Sequence, residues 1–296
     1  MASFLKYLFC VDSEDEPTQQ HDPPPFRSLP IAKNLPMPPE YTTGFQEDDL
    51  IAIDPLDIPP PTYTRFDPHP PGCNCPIHIN RVSRPTVVEL FQSQGCNSCP
   101  PTSSNLRSVL ANSEDPNLLV LDYHVTYWDH LGWKDVFGQD KFNERQWDYA
   151  RRRGDTRVYT PQVVVNGISE GVGQSDGNLK EIIKKGQKAR KGESWAQLEL
   201  AGERKLRVSG PTDMKGIVTV VTYDPRLISV DIKTGENMGK RLLFTHIVRN
   251  SEQIEDWNGG EQLFELPPRG DINDRWRQAV LVQQGRGGPI IGAARV

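Results

Sequence analysis

Thr86-Val87-Val88-Glu89-Leu90-Phe91-Gln92-Ser93-Gln94-Gly95-Cys96-Asn97-Ser98-Cys99-Pro100-Pro101 is the stretch whose reading decides the fold. Val87 to Phe91 is a short β-rich apolar run and reads as a buried strand. Polar residues and Gly95 break it, and two cysteines follow with two residues between them. Beyond them Leu106, Val109 and Leu110 fall on one face of a helix. The order is strand, Cys-x-x-Cys, helix. A dithiol that cycles to a disulfide needs its sulfurs about 2 Å apart in one state and separate in the other. Two residues on a tight turn allow this with little backbone movement. The thiolate is the nucleophile, so Cys96 is expected to be the exposed attacker, favoured by a nearby helix N-terminus. Cys99 is then the resolving thiol. A permanent disulfide and half of a metal site are the alternatives that the same spacing allows.

Proline refines this picture. Pro100 and Pro101 suit the first helical turn and are costly further in. The helix is therefore expected to start at Cys99 or later, leaving Cys96 outside its first turn.

Composition narrows the class. The 296 residues are enough for two domains and a tail. Mean hydropathy is −0.58, and no apolar run approaches the roughly 20 residues of a membrane span. The first residues lack a small-residue cleavage site, and the acidic run Asp12 to Glu16 argues against a mitochondrial presequence. The five cysteines, at 10, 73, 75, 96 and 99, all lie in the first hundred residues of the chain. A secreted disulfide scaffold would spread them through the fold, so a cytoplasmic, reducing location is expected. A net charge of −5 gives no overall basic field for nucleic acid.

Residues 1–84 read as an irregular acidic arm. Sixteen of the 26 prolines fall within residues 17–76, and such a segment buries too little apolar surface to offset its ordering entropy. A solvated arm is the simple reading, and a proline-rich ligand for a partner's aromatic groove is the other. Phe4, Leu5, Phe9 and a lipidated Cys10 would permit only weak membrane association. Cys73-Asn74-Cys75, with His78 following, is a plausible soft-metal set.

Residues 85–191 read as one α/β domain. Asn117 to Val125 is a second buried strand, and residues 139–153 form a helix stopped by Gly154. Pro161 opens a strand, Asn166-Gly167 turns it, and Ile168 to Val172 returns. Ser175 or Asp176 caps a closing helix through Leu179, Ile182 and Ile183. Residues 192–296 change character. Strand candidates at Leu206–Val208, Ile217–Tyr223, Leu242–Val248, Gln262–Leu266, Ala279–Val282 and Pro289–Ala293, with turns such as Thr234 to Asn237, suggest an all-β antiparallel sandwich. His246 reads as packing, and Gly285 to Gly288 as a hairpin loop.

The order in residues 85–191 resembles the thioredoxin fold, with Thr160-Pro161-Gln162-Val163 similar to the strand start of thioredoxins and glutaredoxins. That resemblance implies a cis Pro161 facing the cysteine pair. The chain more closely resembles the thioredoxin-like family called domain of unknown function 1223, over about residues 85–296. The resemblance rests on Glu89-Leu90-Phe91 with Ser93 to Pro101, His124-Val125-Thr126-Tyr127-Trp128-Asp129 with Leu131 to Asp135, Tyr159-Thr160-Pro161-Gln162 and Val165-Asn166-Gly167. It implies a thioredoxin-like fold with redox-like geometry.

In such a sheet the second strand ends beside the first, which brings the loop after His124 towards Cys96. Asp129 is then a candidate acceptor for the Cys99 proton, and a charged His124 would lower the Cys96 pKa. Alternatively, Tyr127, Trp128 and Trp133 pack an interface while His124 and Asp129 bond to backbone. The favoured function is thiol–disulfide exchange through Cys96 and Cys99 on a protein or glutathione-like substrate, with Thr160, Pro161 and Trp128 at the groove and no cofactor. Two rivals remain. Cys73, Cys75, Cys96 and Cys99 together form a four-thiolate site for zinc, or a smaller set for copper. The other is a non-enzymatic adaptor.

Overall fold

The computed structural model describes residues 51–52, 85–112, 117–190, 195–202, 204–268 and 275–296, all within the compact unit Gln46–Val296. Cys10, Cys73, Cys75 and nearly all of the acidic arm lie outside the described residues. The fold is mixed α/β, built on one eight-stranded mixed sheet with two smaller antiparallel sheets. After β1 (Ile51–Ala52), β2 (Thr86–Gln92) leads into α1 (Cys99–Asn112), and β3 (Leu118–His124) returns parallel to β2. α2 (Asp140–Arg153) crosses to β4 (Gln162–Val165), antiparallel to β2, and β5 (Ser169–Gly171) and α3 (Asp176–Ala189) follow. These elements appear in the order expected from the sequence.

Every residue of β2, β3 and β4 is buried. They are mostly apolar on both faces because helices cover both faces of the sheet. Val88, Leu90, Val120 and Val163 meet Leu106 of α1 with Leu179 and Ile182 of α3. Val87, Phe91, Leu119 and Tyr123 meet Phe142 and Tyr149 of α2. Each such side chain contributes about 1.5–3 kcal/mol on burial. A slip of one residue would exchange the two faces, so the register is fixed. The β2–α1 turn, and with it the cysteine pair, is thereby held at the ends of β2 and β3. Ser175 caps α3 by accepting from the Asn178 N–H, and Gly154 ends α2 at φ 79°.

The second half departs from the expectation of a separate sandwich. It supplies β6 (Gln197–Leu200), β7 (Lys205–Ser209), β8 (Gly216–Asp224), β9 (Ile228–Asp231), β10 (Arg241–Phe244), β11 (Ile247–Trp257), β12 (Gln262–Glu265), β13 (Arg277–Gln283) and β14 (Ile290–Arg295). Two layers do face each other. β12-β7-β6 packs on β8, β13 and β14 through Leu198, Leu206, Val218, Val280 and Ile291. The second layer, however, is the far half of the eight-stranded sheet, ordered β14-β13-β8-β11-β3-β2-β4-β5. The join is β11, which runs parallel to β3 and antiparallel to β8. The expected division at residues 191 and 192 therefore falls between strands that share one sheet.

The single strand expected at Leu242–Val248 is two strands. His246, at φ 57°, turns the chain between them. β10 belongs to the small sheet β1-β9-β10, and β11 to the large one. The His246 ring stacks on Tyr223, and burial lowers its pKa to about 4, which agrees with a packing role. β9 was not anticipated, nor was the outer half of β11, where Arg249 to Asp256 is polar except for Ile254 and gives no apolar signal.

The hairpin between β4 and β5 has Asn166 at φ 53° and Gly167 at φ 67°, as a tight primed turn requires. Asn166 Oδ1 accepts from the Val87 N–H, and its carbonyl accepts from the Ile290 N–H. A Cβ on Gly167 would run into the Gly288 carbonyl. Gly167→Ala is expected to destabilise the fold by about 2 kcal/mol or more. That is a fall of about 4–8 °C in the thermal midpoint; a fall of less than a degree would show that the turn relaxes freely.

Candidate functional site

Gln92 ends β2, and Ser93-Gln94-Gly95 carry the chain to Cys96. The Cys96 N–H donates to Ser93 O and the Cys99 N–H to Cys96 O. The two cysteines are bonded as a disulfide. Helix α1 starts at Cys99, so Cys96 lies outside its first turn, as the two prolines required. The expectation of an exposed attacker does not hold: Cys96 is 0 % and Cys99 1 % exposed.

Two side chains hold the loop that carries Cys96. A Cβ on Gly95 would lie 3.2 Å from Trp128 Cβ, so Trp128 lies against the loop. On the other flank Asn237 is wholly buried, and its Nδ2 donates to Gln94 O at 2.8 Å and to Cys96 O at 2.9 Å. Lys240 Nζ donates in turn to Asn237 Oδ1. Asn237 stands in the turn Thr234 to Asn237, which the sequence showed only as a turn. Asn237→Ala would remove the side-chain donor to the Gln94 carbonyl and one of the two donors to Cys96 O, at a cost of about 1–3 kcal/mol. It is expected to lower the thermal midpoint and to speed reduction of the disulfide by dithiothreitol several-fold. If both stay at wild-type values, the contact has no part in guarding Cys96.

The expected groove residues are brought together. Trp128 Nε1 donates to Thr160 Oγ1 at 2.8 Å, and the Thr160–Pro161 peptide bond is cis. Tyr127 and Trp128 also pack on the main core, and Trp133 packs with β9 and β10, so these aromatics bear structural load as well.

Below the loop lies a buried ionic network. The His124 ring is fully enclosed, with Nδ1 2.8 Å from Asp135 Oδ2 and Nε2 3.4 Å from Asp122 Oδ2. The second distance is that of an ion pair rather than a formed hydrogen bond. Burial pulls the imidazolium down, but Asp135 and Asp122 outweigh it and raise the pKa to about 10. His124 is therefore a cation at neutral pH. Asp135 Oδ2 also accepts from the Gln94 N–H at 2.7 Å, and its Oδ1 from the Phe137 N–H. Gln94 Oε1 accepts from Trp133 Nε1. An ion pair joins Asp122 to His124, and hydrogen bonds run from His124 through Asp135 to the backbone one residue before Gly95.

This alters two expected roles. The charge of His124 is taken up by two carboxylates, so it supplies no net positive field to Cys96. Asp129 accepts from the Asp135 N–H, and burial raises its pKa while that bond opposes the rise; it holds Asp135 in place. Asp122 and Asp135 had no assigned role. Asp122 was legible as a lone carboxylate in an apolar strand, the usual sign of a paired buried charge. Asn237 gave no such signal. Among the described residues no group of three His, Cys, Asp or Glu side chains has metal-ligand geometry; Cys73 and Cys75 lie outside them.

The profile of the family described as Protein of unknown function (DUF1223) matches residues 87–283. The chain belongs to this family. The match takes in the cysteine loop, the His124 to Asp135 loop, the cis proline and the Asn237 turn, so every part of the site is family territory. A crystal structure of an Agrobacterium tumefaciens protein is similar at 29% identity, covering 71% of this chain and 93% of the other, with a TM-score of 0.58. Comparison with curated proteins gives no match. No helix among the described residues is long and apolar enough to cross a membrane.

Proposed function

We propose that this DUF1223 protein is a thiol–disulfide oxidoreductase with a thioredoxin-like core. The observation that carries the reading is the bonded Cys96–Cys99 pair at a strand-to-helix junction; Trp128, whose Cβ lies against Gly95, bonds in turn to Thr160, the residue before cis Pro161. In the reduced state the Cys96 thiolate attacks a substrate disulfide, R–S–S–R′. Cys96–S–S–R forms and R′–S⁻ leaves. Cys99 then attacks the Cys96 sulfur, closing the pair and releasing R–S⁻. Two electrons pass from the dithiol to the substrate, and the two Cys protons end on the released thiols. The exchange needs no cofactor beyond the dithiol, and it suits a cytoplasmic location where a thiol pool sets the poise.

In this reading Trp128, Thr160 and Pro161 form one wall for the substrate. His124 and Asp129 act as positioning residues. Both hold Asp135, which fixes the Gln94 N–H and hence the loop that presents Cys96. The test is a redox titration. In buffers of graded reduced to oxidised dithiothreitol, the wild type should gain and lose two thiols together at one potential. The double variant Cys96→Ser/Cys99→Ser should lack that step. A pair that stays closed across the whole range would be a structural disulfide, and the proposal would fail.

A further inference from the structure

A cavity of about 230 Å³ opens beside the cysteine loop, lined by Gln92, Cys99, Ser103, Ser104, Arg107 and Phe244 among others. It is smaller than the roughly 300–1,000 Å³ of most small-molecule sites, so it suits a fragment the size of one amino acid rather than a folded surface. Its polar groups are only partly used by the fold. Arg107 donates through Nη1 to Leu243 O at 2.6 Å and to Ser103 Oγ at 3.1 Å. Its Nε and Nη2 make no hydrogen bond among the described residues, and no described carboxylate forms an ion pair with it. Arg241, at the rim, is already held by both oxygens of Asp231.

Gln92 supplies the second observation. Its side chain is fully buried, and Nε2 donates to Asp122 Oδ2 at 2.6 Å. A carboxylate oxygen accepts only, so the amide orientation is fixed. Oε1 is then a buried acceptor without a donor among the described residues. Of the buried side-chain polar atoms without a partner among the described residues, it is the one carried by a residue that lines this cavity. The cavity thus offers a cation with free N–H groups, serine hydroxyls, an acceptor awaiting an N–H and a redox cysteine in its wall.

We propose that this cavity seats the zwitterionic end of a small amino-acid disulfide, cystine being the simplest, with its carboxylate on Arg107 and its ammonium on Gln92 Oε1. The assignment rests on the exchange reading above and names its substrate class. The reaction is the reduction of one substrate disulfide to two amino-acid thiols as Cys96 and Cys99 close, or the reverse. A protein substrate would present its cysteine without free amino and carboxylate groups and would leave both Arg107 and Gln92 unmatched.

The test separates seat from chemistry. S-methyl-L-cysteine carries both charges and cannot exchange; calorimetry on the oxidised full chain should show it binding once. In turnover, L-cystine should have the lowest KM. Cystamine lacks the carboxylate and 3,3′-dithiodipropionate lacks the amine, and each should be worse by about tenfold or more. The disulfide of N-acetylcysteine amide carries neither charge and stands for a protein cysteine; it should be worst. Arg107→Gln should abolish S-methylcysteine binding and bring the kcat/KM values for cystine and cystamine together, whereas Arg107→Lys, which keeps the charge, should retain part of the preference and show that the fold survives. Exchange that does not discriminate among the four disulfides, with no S-methylcysteine binding, overturns the seat and leaves the exchange reading standing. Binding of S-methylcysteine without turnover of any disulfide overturns the exchange reading, and the substrate assignment with it.

Discussion

Cys96→Ser is expected to reduce disulfide-exchange turnover by a factor on the order of a thousand or more, the scale seen when a catalytic nucleophile is removed. A serine hydroxyl is not ionised at neutral pH and cannot displace a thiolate from sulfur. Cys99→Ser is expected to behave differently. The first attack still proceeds, but no second thiol resolves the product, so a mixed disulfide on Cys96 accumulates. Mass spectrometry after exposure to excess disulfide would show one adduct per chain on Cys96 in the Cys99→Ser variant and none there in Cys96→Ser. The reverse pattern, an adduct on Cys99 in the Cys96→Ser variant, would transfer the attacking role to Cys99, the sulfur that lines the open cavity. Both sulfurs are buried in the oxidised state, so the reaction also requires the cover formed by Asn237 and Trp128 to give way.

His124→Leu is expected to destabilise the protein by about 3–5 kcal/mol, because it removes the cation between two buried carboxylates. The leucine fills similar volume, so packing contributes little to the loss. Adding Asp122→Asn should recover part of it by removing one unpaired charge. Asp135 would still be needed by the Gln94 and Phe137 N–H groups. The same residue sets a pH dependence. The folded pKa of His124 is about 10, against about 6.5 for a free imidazole. Between these values the folded state holds a proton that the unfolded chain has lost. The contribution is therefore complete below about pH 6.5 and disappears as pH rises through about 10. The wild-type thermal midpoint should fall from pH 7 to pH 10 more steeply than that of His124→Leu, with the groups common to both cancelling in the comparison. Parallel curves would mean that His124 is neutral and that the network is held by hydrogen bonds alone.

Local physics was enough for much of the architecture. Val87 to Phe91 declared a buried strand, and Pro100-Pro101 placed the helix start no earlier than Cys99, because proline's missing N–H is tolerated only in a first turn. Asn166-Gly167 gave the hairpin, since both positions take positive φ. The spacing of Cys96 and Cys99 permitted their bond. Each of these depends on residues within a few positions of one another, where covalent geometry and side-chain period decide the outcome.

Other features exist only through contacts between distant segments. Asn237 reaches Cys96 O across 141 residues, and nothing in its own neighbourhood foretold that role. The same closure buried Cys96, which chemical reasoning had placed at the surface. His246 turned one expected strand into two and let β11 join β3, merging the β-rich segment into the sheet that carries the cysteines. The charge of His124 was fixed by Asp122 and Asp135, for a buried imidazole takes its pKa from whatever the fold places beside it. The sequence determined most of the elements and where the cysteine pair sits in them; tertiary packing alone decided how that pair is covered, which groups are charged around it, and that a cavity lined by Arg107 opens at Cys99. Such properties depend on distance and solvent exclusion, and a chain has neither until it is folded.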